Sequence, residues 1–329
     1  MYHSIDTGEE LLKPHHKQWL QIYSNLPFDR FGFAEIHPHQ QLLPGAAYRP
    51  KRSLAPWGDL MHNRAVELLD TKENLLVCWS GGIDSTCVMV AMIQASATKD
   101  NLTVAMNRRS LLENTPFYER FIKGKFNTIE MKDMSELVAT TDYHLVTGEG
   151  MDQLFGADVI YKIHLNAGLN VVFQPNTELN HCIALETLGF TYSNAKLIHH
   201  EVMGSAAKVG VKLRRVYDCM WWMNFAYKWQ CVQLRGLMYG QPEYTNQMTL
   251  DSLNRVSHFV NTPEFQDWSC TAHEKKIEDT WESYKLTAKR YIYRFDGDDE
   301  FLNNGIKILS LIQFTPSYEQ KRKVFPPDV

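Results

Sequence analysis

Two short strings hold the residues best able to do chemistry. The first is Ser80-Gly81-Gly82-Ile83-Asp84-Ser85. It follows an apolar run, Leu75-Leu76-Val77-Cys78-Trp79, and opens an apolar helix expected over Thr86 to Ala95. Adjacent glycines let successive N–H groups converge on an anion. The start of the helix adds its positive end. Ser80 and Ser85 supply hydroxyls, and Asp84 supplies an oxygen ligand of the kind Mg2+ prefers. Such a loop suits a pyrophosphate. The alternative is an ordinary glycine turn at a strand end. No GxxxxGK[ST] string is present, so this is not a Walker-type phosphate loop.

The second string is Thr147-Gly148-Glu149-Gly150-Met151-Asp152-Gln153-Leu154-Phe155-Gly156. Glu149 and Asp152 are three apart, so one helical turn would aim both into one pocket. Asp152 could share a metal with Asp84, and Glu149 could carry a proton. The plainer reading is an acidic helix start, where carboxylates are favoured anyway.

Both strings need a sheet edge to bring them together, and the chain supplies one. The run over 75–79 reads as a strand buried on both faces. Further strands are expected at Leu102 to Met106, Thr128 to Met131 and Tyr143 to Val146. Helices are expected at Trp57 to Asp70, Pro116 to Lys123 and Met134 to Thr140. Alternation of this kind predicts an α/β fold, a mostly parallel twisted sheet with flanking helices. The loops after its strands then share one edge, where ligands bind. Residues 1–72 read as an irregular segment and lead-in helix, 73–176 as the nucleotide domain and 177–329 as a C-terminal helical lobe. Trp221, Trp222, Phe225, Tyr227 and Trp229 in that lobe read as core.

Together the strings resemble the synthetase domain of the asparagine synthetase and β-lactam synthetase family, which carries SGG[LVI]DS and then SGEGxDExxGG. SGGxDS alone is shared with other PP-loop ATP pyrophosphatases. The resemblance implies an adenine nucleotide alpha hydrolase-like fold. It implies ATP and Mg2+ as cofactors, with Ser80, Gly81, Gly82, Asp84 and Ser85 around the β,γ-pyrophosphate. It places Mg2+ on Asp84 and Asp152, Gly148 and Glu149 beside an acyl-adenylate, and Glu149 as catalytic acid/base. Met106, ending the second strand, falls where relatives bind the nucleotide, and Arg108 or Arg109 just beyond has two readings, a phosphate contact or a solvated side chain. The family has a KxxLR segment, which Lys285-Leu286-Thr287-Ala288-Lys289 resembles, and later a catalytic lysine in a segment that Gly305-Ile306-Lys307 resembles, so Lys307 is the first candidate for that lysine and Lys285 the second. Pro263 to Asp267 is a degenerate echo of a further family segment.

The chain departs from the family at Gln153 and Ala157, which stand where the family has Glu and Gly. It starts Met1-Tyr2-His3 and leaves no expected room for the glutaminase domain that precedes the loop in asparagine synthetases. The implied activity is an AMP-forming amide ligase acting on a small-molecule carboxylate. Its nitrogen would come from ammonia, an amine or a separate amidotransferase or substrate protein. Two other readings stand beside it: adenylylation of a nucleobase on RNA or a nucleotide, and a catalytically silent nucleotide-binding module.

Composition narrows the setting. A net charge of -4 with 22% charged residues argues against binding driven by bulk attraction to nucleic acid. Six cysteines without a CxxC pair read as reduced, mostly buried thiols. No apolar run reaches the ~18 residues of a membrane span, so a cytoplasmic protein without membrane contact is expected. His15-His16, His37, His39 and His199-His200 could bind metal, but they read first as loop or helix-surface histidines. Asp296 to Glu300 reads as a solvated turn, placed to suit a lid.

Overall fold

A computed structural model describes residues 12–23, 27–33, 55–156, 159–233 and 241–304. Five strands form one sheet in the order β3-β2-β1-β4-β5, and every neighbouring pair is parallel. They are β1 (Leu75–Cys78), β2 (Leu102–Met106), β3 (Asn127–Glu130), β4 (His144–Thr147) and β5 (Val256–His258). The three inner strands read as continuous apolar runs because both faces are covered. Leu76, Ala105 and Leu145 face the Met134–Thr140 helix through Leu137 and Val138. Leu75, Val77, Val104 and Val146 face the larger core on the other side. β3 lies at one edge and is largely exposed.

From β1 the chain moves outward to β2 and β3, then returns to the other flank of β1 as β4. The reversal opens a crevice between the carboxyl ends of β1 and β4, the place where open parallel sheets bind ligands. Both chemical strings leave the sheet there, one from each side of the crevice.

Helix α1 (Pro14–Tyr23) lies in the segment expected to be irregular. Trp19 and Tyr23, one turn apart, are buried and stacked with centroids 4.3 Å apart. Such a pair makes a helix by giving it one apolar face, a signal too short to stand out in a proline-rich stretch. Helix α2 (Trp57–Thr71) leads into β1, and helix α3 (Ile83–Gln94) follows the glycine loop. α3 packs against α2, β1 and the Leu286–Asp296 helix, and nine of its residues are buried. Helix α4 (Arg108–Glu113) is capped by Asn107, whose Oδ1 accepts from the Ser110 N–H at 3.1 Å. The helix expected from Pro116 to Lys123 is a short α-turn running into a wider π-turn, Tyr118–Ile122.

The segment after 177 is helical, but it also contributes β5, paired with β4 through Thr147↔His258. Its aromatics form core as expected, with Trp221, Trp222 and Phe225 fully buried. Among the described residues no disulfide joins the six cysteines, and five of them are buried. Among the described residues no helix is long and apolar enough to cross a membrane.

Candidate active site

The first string folds as a tight loop held by its own hydroxyls. Ser85 Oγ accepts from the Ser80 N–H at 3.0 Å and donates to the Gly82 carbonyl at 3.2 Å. Ser80 Oγ lies 3.0 Å from Ser85 Oγ and accepts from the Gly82 N–H at 3.3 Å. Thr86 Oγ1 donates to the Gly81 carbonyl at 3.3 Å and accepts from the Trp79 indole N–H at 3.2 Å. Gly81 has φ +82, where a side chain is strained, and a Cβ there would collide with the Ser110 carbonyl. The loop is therefore shaped before any ligand arrives, with the positive end of α3 behind it. Glu113, at the end of α4, adds a carboxylate beside Gly82. No feature of the sequence singled it out.

The second string comes against the first through Gly148. A Cβ on Gly148 would lie 2.9 Å from the Asp84 carbonyl carbon and 3.0 Å from the Ser85 nitrogen. Only glycine lets the two backbones meet there. Beyond it, Asp152 sits in the first turn of the short Met151–Phe155 helix. The last carbonyls of any helix lack partners within it, and here three other elements supply them. Asn224 Nδ2 donates to the Asp152 carbonyl at 3.1 Å, and also to that of Gly156. Ser269 Oγ donates to Leu154 at 2.6 Å, and Tyr217 Oη to Phe155 at 2.6 Å. The helical lobe thus fixes the direction of Asp152. Gln153, where the resemblance broke, points into this buried scaffold and donates to Asn224 Oδ1 at 3.2 Å. Ala157 lies outside the described residues.

Asn224 is 1% exposed, so Asn224→Ala strands the Gly156 carbonyl and the Gln153 amide away from water, while the Asp152 carbonyl keeps the Gly156 N–H at 3.0 Å. A stability loss of about 1–3 kcal/mol is expected in urea unfolding. Asn224→Asp should not restore it, because the side chain then accepts where it must donate.

The centre of the crevice holds an ion triad. Lys285 Nζ lies 2.5 Å from Asp84 Oδ1 and 2.5 Å from Asp152 Oδ1. Tyr284 Oη donates to the same Asp152 oxygen at 3.4 Å. Lys285 is fully buried, whereas the carboxylates keep about a fifth of their side-chain surface, 22% and 20%. Lys285 itself has φ +59, an uncommon conformation for a side-chain-bearing residue. It is held there by its N–H bond to the Lys276 carbonyl at 3.0 Å and by starting the Leu286–Asp296 helix. Strain of this kind persists where surrounding structure over-determines it, and it concentrates at functional sites. Behind it, Lys289 Nζ donates to the Glu282 carbonyl at 2.7 Å, and burial lowers its pKa to about 8.

Glu149 is half-buried beside the crevice, and its N–H donates to Thr147 Oγ1 at 3.3 Å. The same hydroxyl lies 2.8 Å from His258 Nδ1, and His258 Nε2 lies 3.1 Å from the Gln233 carbonyl. Burial lowers the His258 pKa against the pull of Glu149. Burial, with Glu149 nearby, also pushes the Cys78 thiol up to about 12, which keeps it protonated. His258 arrives on a three-residue strand inside a helix-rich segment, and so left no periodic signal.

The residues taken from the sequence thus divide. Ser80, Gly81, Gly82, Asp84, Ser85, Gly148, Glu149, Asp152 and Lys285 share one crevice. Lys307 lies outside the described residues. Met106 ends β2 at the correct edge, but it is 7% exposed and packed in the core. Arg108 and Arg109 are exposed. His15, His16 and His199 are buried, contrary to the surface reading: α1 packs on the Tyr192–Val209 helix over the first two, and the Glu178–Thr187 helix packs on it at His199, whose Nδ1 lies 3.0 Å from His181 Nδ1. His37 and His39 lie outside the described residues.

Two carboxylates sharing one cation beside a glycine cradle fit a polyphosphate carried with a divalent ion: oxygen donors suit Mg2+, and the loop suits the anion. Compared with known proteins, the chain matches no family model, and no curated protein is similar to it in sequence.

Proposed function

We propose that this chain is an ATP-dependent, AMP-forming ligase that activates a carboxylate and passes the acyl group to ammonia or an amine. The observation that carries this reading is the convergence of the Ser80–Ser85 loop, Asp84, Asp152 and Lys285 at the reversal point of a parallel sheet. The loop's backbone and hydroxyls hold the β,γ-phosphates as a cradle already closed by its internal bonds. Mg2+ on Asp84 and Asp152 would offset the charge of the pyrophosphate. Lys285 places a buried ammonium where negative charge grows as the substrate carboxylate displaces pyrophosphate from the α-phosphorus. Such preorganised charge acts strongly because little water competes with it. Glu149, at the rim, accepts the proton that the amine must lose as the amide forms and AMP departs.

Carboxylate-dependent exchange of labelled pyrophosphate into ATP tests the first half-reaction without the amine. Exchange with some member of a broad carboxylate panel, abolished by Asp84→Asn, is the expected result. A folded protein that binds ATP yet exchanges with no carboxylate would sink the ligase reading.

A further inference from the structure

The contact between α1 and the Tyr192–Val209 helix contains three metal-ligating side chains that the nucleotide crevice does not use. His15 Nε2 lies 3.0 Å from Glu201 Oε1, and His16 Nε2 lies 2.8 Å from Glu201 Oε2. One donor atom from each of the three falls within 4.8 Å of the others. The histidines are 4% and 1% exposed, while the Glu201 side chain keeps 20% of its surface. Trp19 and Tyr23 already bury an apolar face of α1, so the contact does not need this polar cluster for packing.

We infer that His15 Nε2, His16 Nε2 and the Glu201 carboxylate form a zinc site that ties α1 to the helical lobe. Two imidazoles and a carboxylate are a recognised zinc donor set, and they leave a fourth position for water on the open side of Glu201. Mg2+ and Ca2+ are poor candidates, since they favour oxygen donors. Tetrahedral zinc, with bonds of about 2.0–2.2 Å, spaces its donors roughly 3.4 Å apart. The observed gaps of 3.0 and 2.8 Å, which run to different oxygens of Glu201, open by about half an ångström as the carboxylate turns to the ion.

Charge points the same way. Among the described residues Glu201 meets two imidazoles and one ammonium. The ammonium is that of Lys13, 3.9 Å from Glu201 and 54% exposed. A divalent ion balances the half-buried carboxylate and uses both imidazoles. Neither His15 Nδ1 nor His16 Nδ1 has a partner among the described residues. Each ring must carry its proton there once Nε2 is ligated, so affinity should fall roughly 10–100-fold below that of a fully supported site.

The test is a zinc titration of the full chain against a chromogenic chelator, in excess Mg2+ and with thiols reduced, alongside thermal unfolding. One zinc per chain and a zinc-dependent rise in the unfolding midpoint are expected. Both should be lost in Glu201→Gln and in His16→Asn, and kept in His200→Asn, an exposed histidine paired with Glu178 at 3.2 Å. Cobalt in place of zinc should give tetrahedral visible absorption without thiolate charge transfer. Glu201→Gln keeps the side chain's shape, so it reads the metal even if His16→Asn does not fold. No zinc retained by the folded wild type, or zinc retained unchanged by folded Glu201→Gln, would overturn the assignment.

Discussion

Lys285→Met should lower carboxylate-dependent pyrophosphate exchange by about 10²–10³-fold, the usual cost of removing one preorganised group that meets developing charge. Methionine keeps much of the length and the apolar stem, so the loss reports the ammonium. Without it, Asp84 and Asp152, each 2.5 Å from the same Nζ, lose the ammonium they share and would rely on Mg2+ for that charge. Like charges in one site raise one of the two carboxyl pKa values, so residual activity should shift to higher pH. Some stability should also be lost, at most about 3–5 kcal/mol for a broken buried pair and less here because both carboxylates are partly exposed. Lys285→Gly separates the backbone from the side chain. It relieves the left-handed strain at φ +59, so it should lose the same exchange while losing less stability than methionine. Lys285→Arg should not rescue, because a planar fork replaces a point charge. Exchange undiminished in folded Lys285→Met would make the lysine a structural ion only.

Gly148→Ala should cost on the order of 10²-fold in the same exchange. The added carbon lands 2.9 Å from the Asp84 carbonyl carbon and 3.0 Å from the Ser85 nitrogen, both backbone atoms. Neither can retreat easily, because α3 is buried between the sheet and two helices. The strings must separate, which pulls Asp152 away from Asp84. Overpacking of this sort adds roughly 1–3 kcal/mol of destabilisation, read by urea unfolding. Gly204→Ala is the control: it lies inside a helix with nothing within 4 Å of the added carbon. It should be stabilising by roughly 0.5–1 kcal/mol. Full exchange in Gly148→Ala would mean that the contact between the strings is not needed for the reaction.

The sequence by itself determined four of the five strands and the loop that follows the first of them. Both are local: a strand buried on two faces must read as an unbroken apolar run, and a loop that converges on an anion needs small residues between a strand and a helix. The runs 75–79 and 102–106 and the string Ser80 to Ser85 therefore carried their structure in consecutive residues. The second string was legible for the same reason, down to the pairing of Asp152 with Asp84 at one edge.

Only the tertiary structure decided that Lys285 enters the crevice and what aims the acids. Lys285 is 201 residues from Asp84 in sequence, and surface lysines share its residue type, so the sequence ranked it second. Asn224, Ser269 and Tyr217 hold the Asp152 helix by bonding its terminal carbonyls, partners that no periodicity encodes. His258 came in on a three-residue strand, and His15 and His16 turned inward because a neighbouring helix covers them. Burial is a property of what packs on a residue rather than of the residue, and in this chain the packing partners lie far away in sequence.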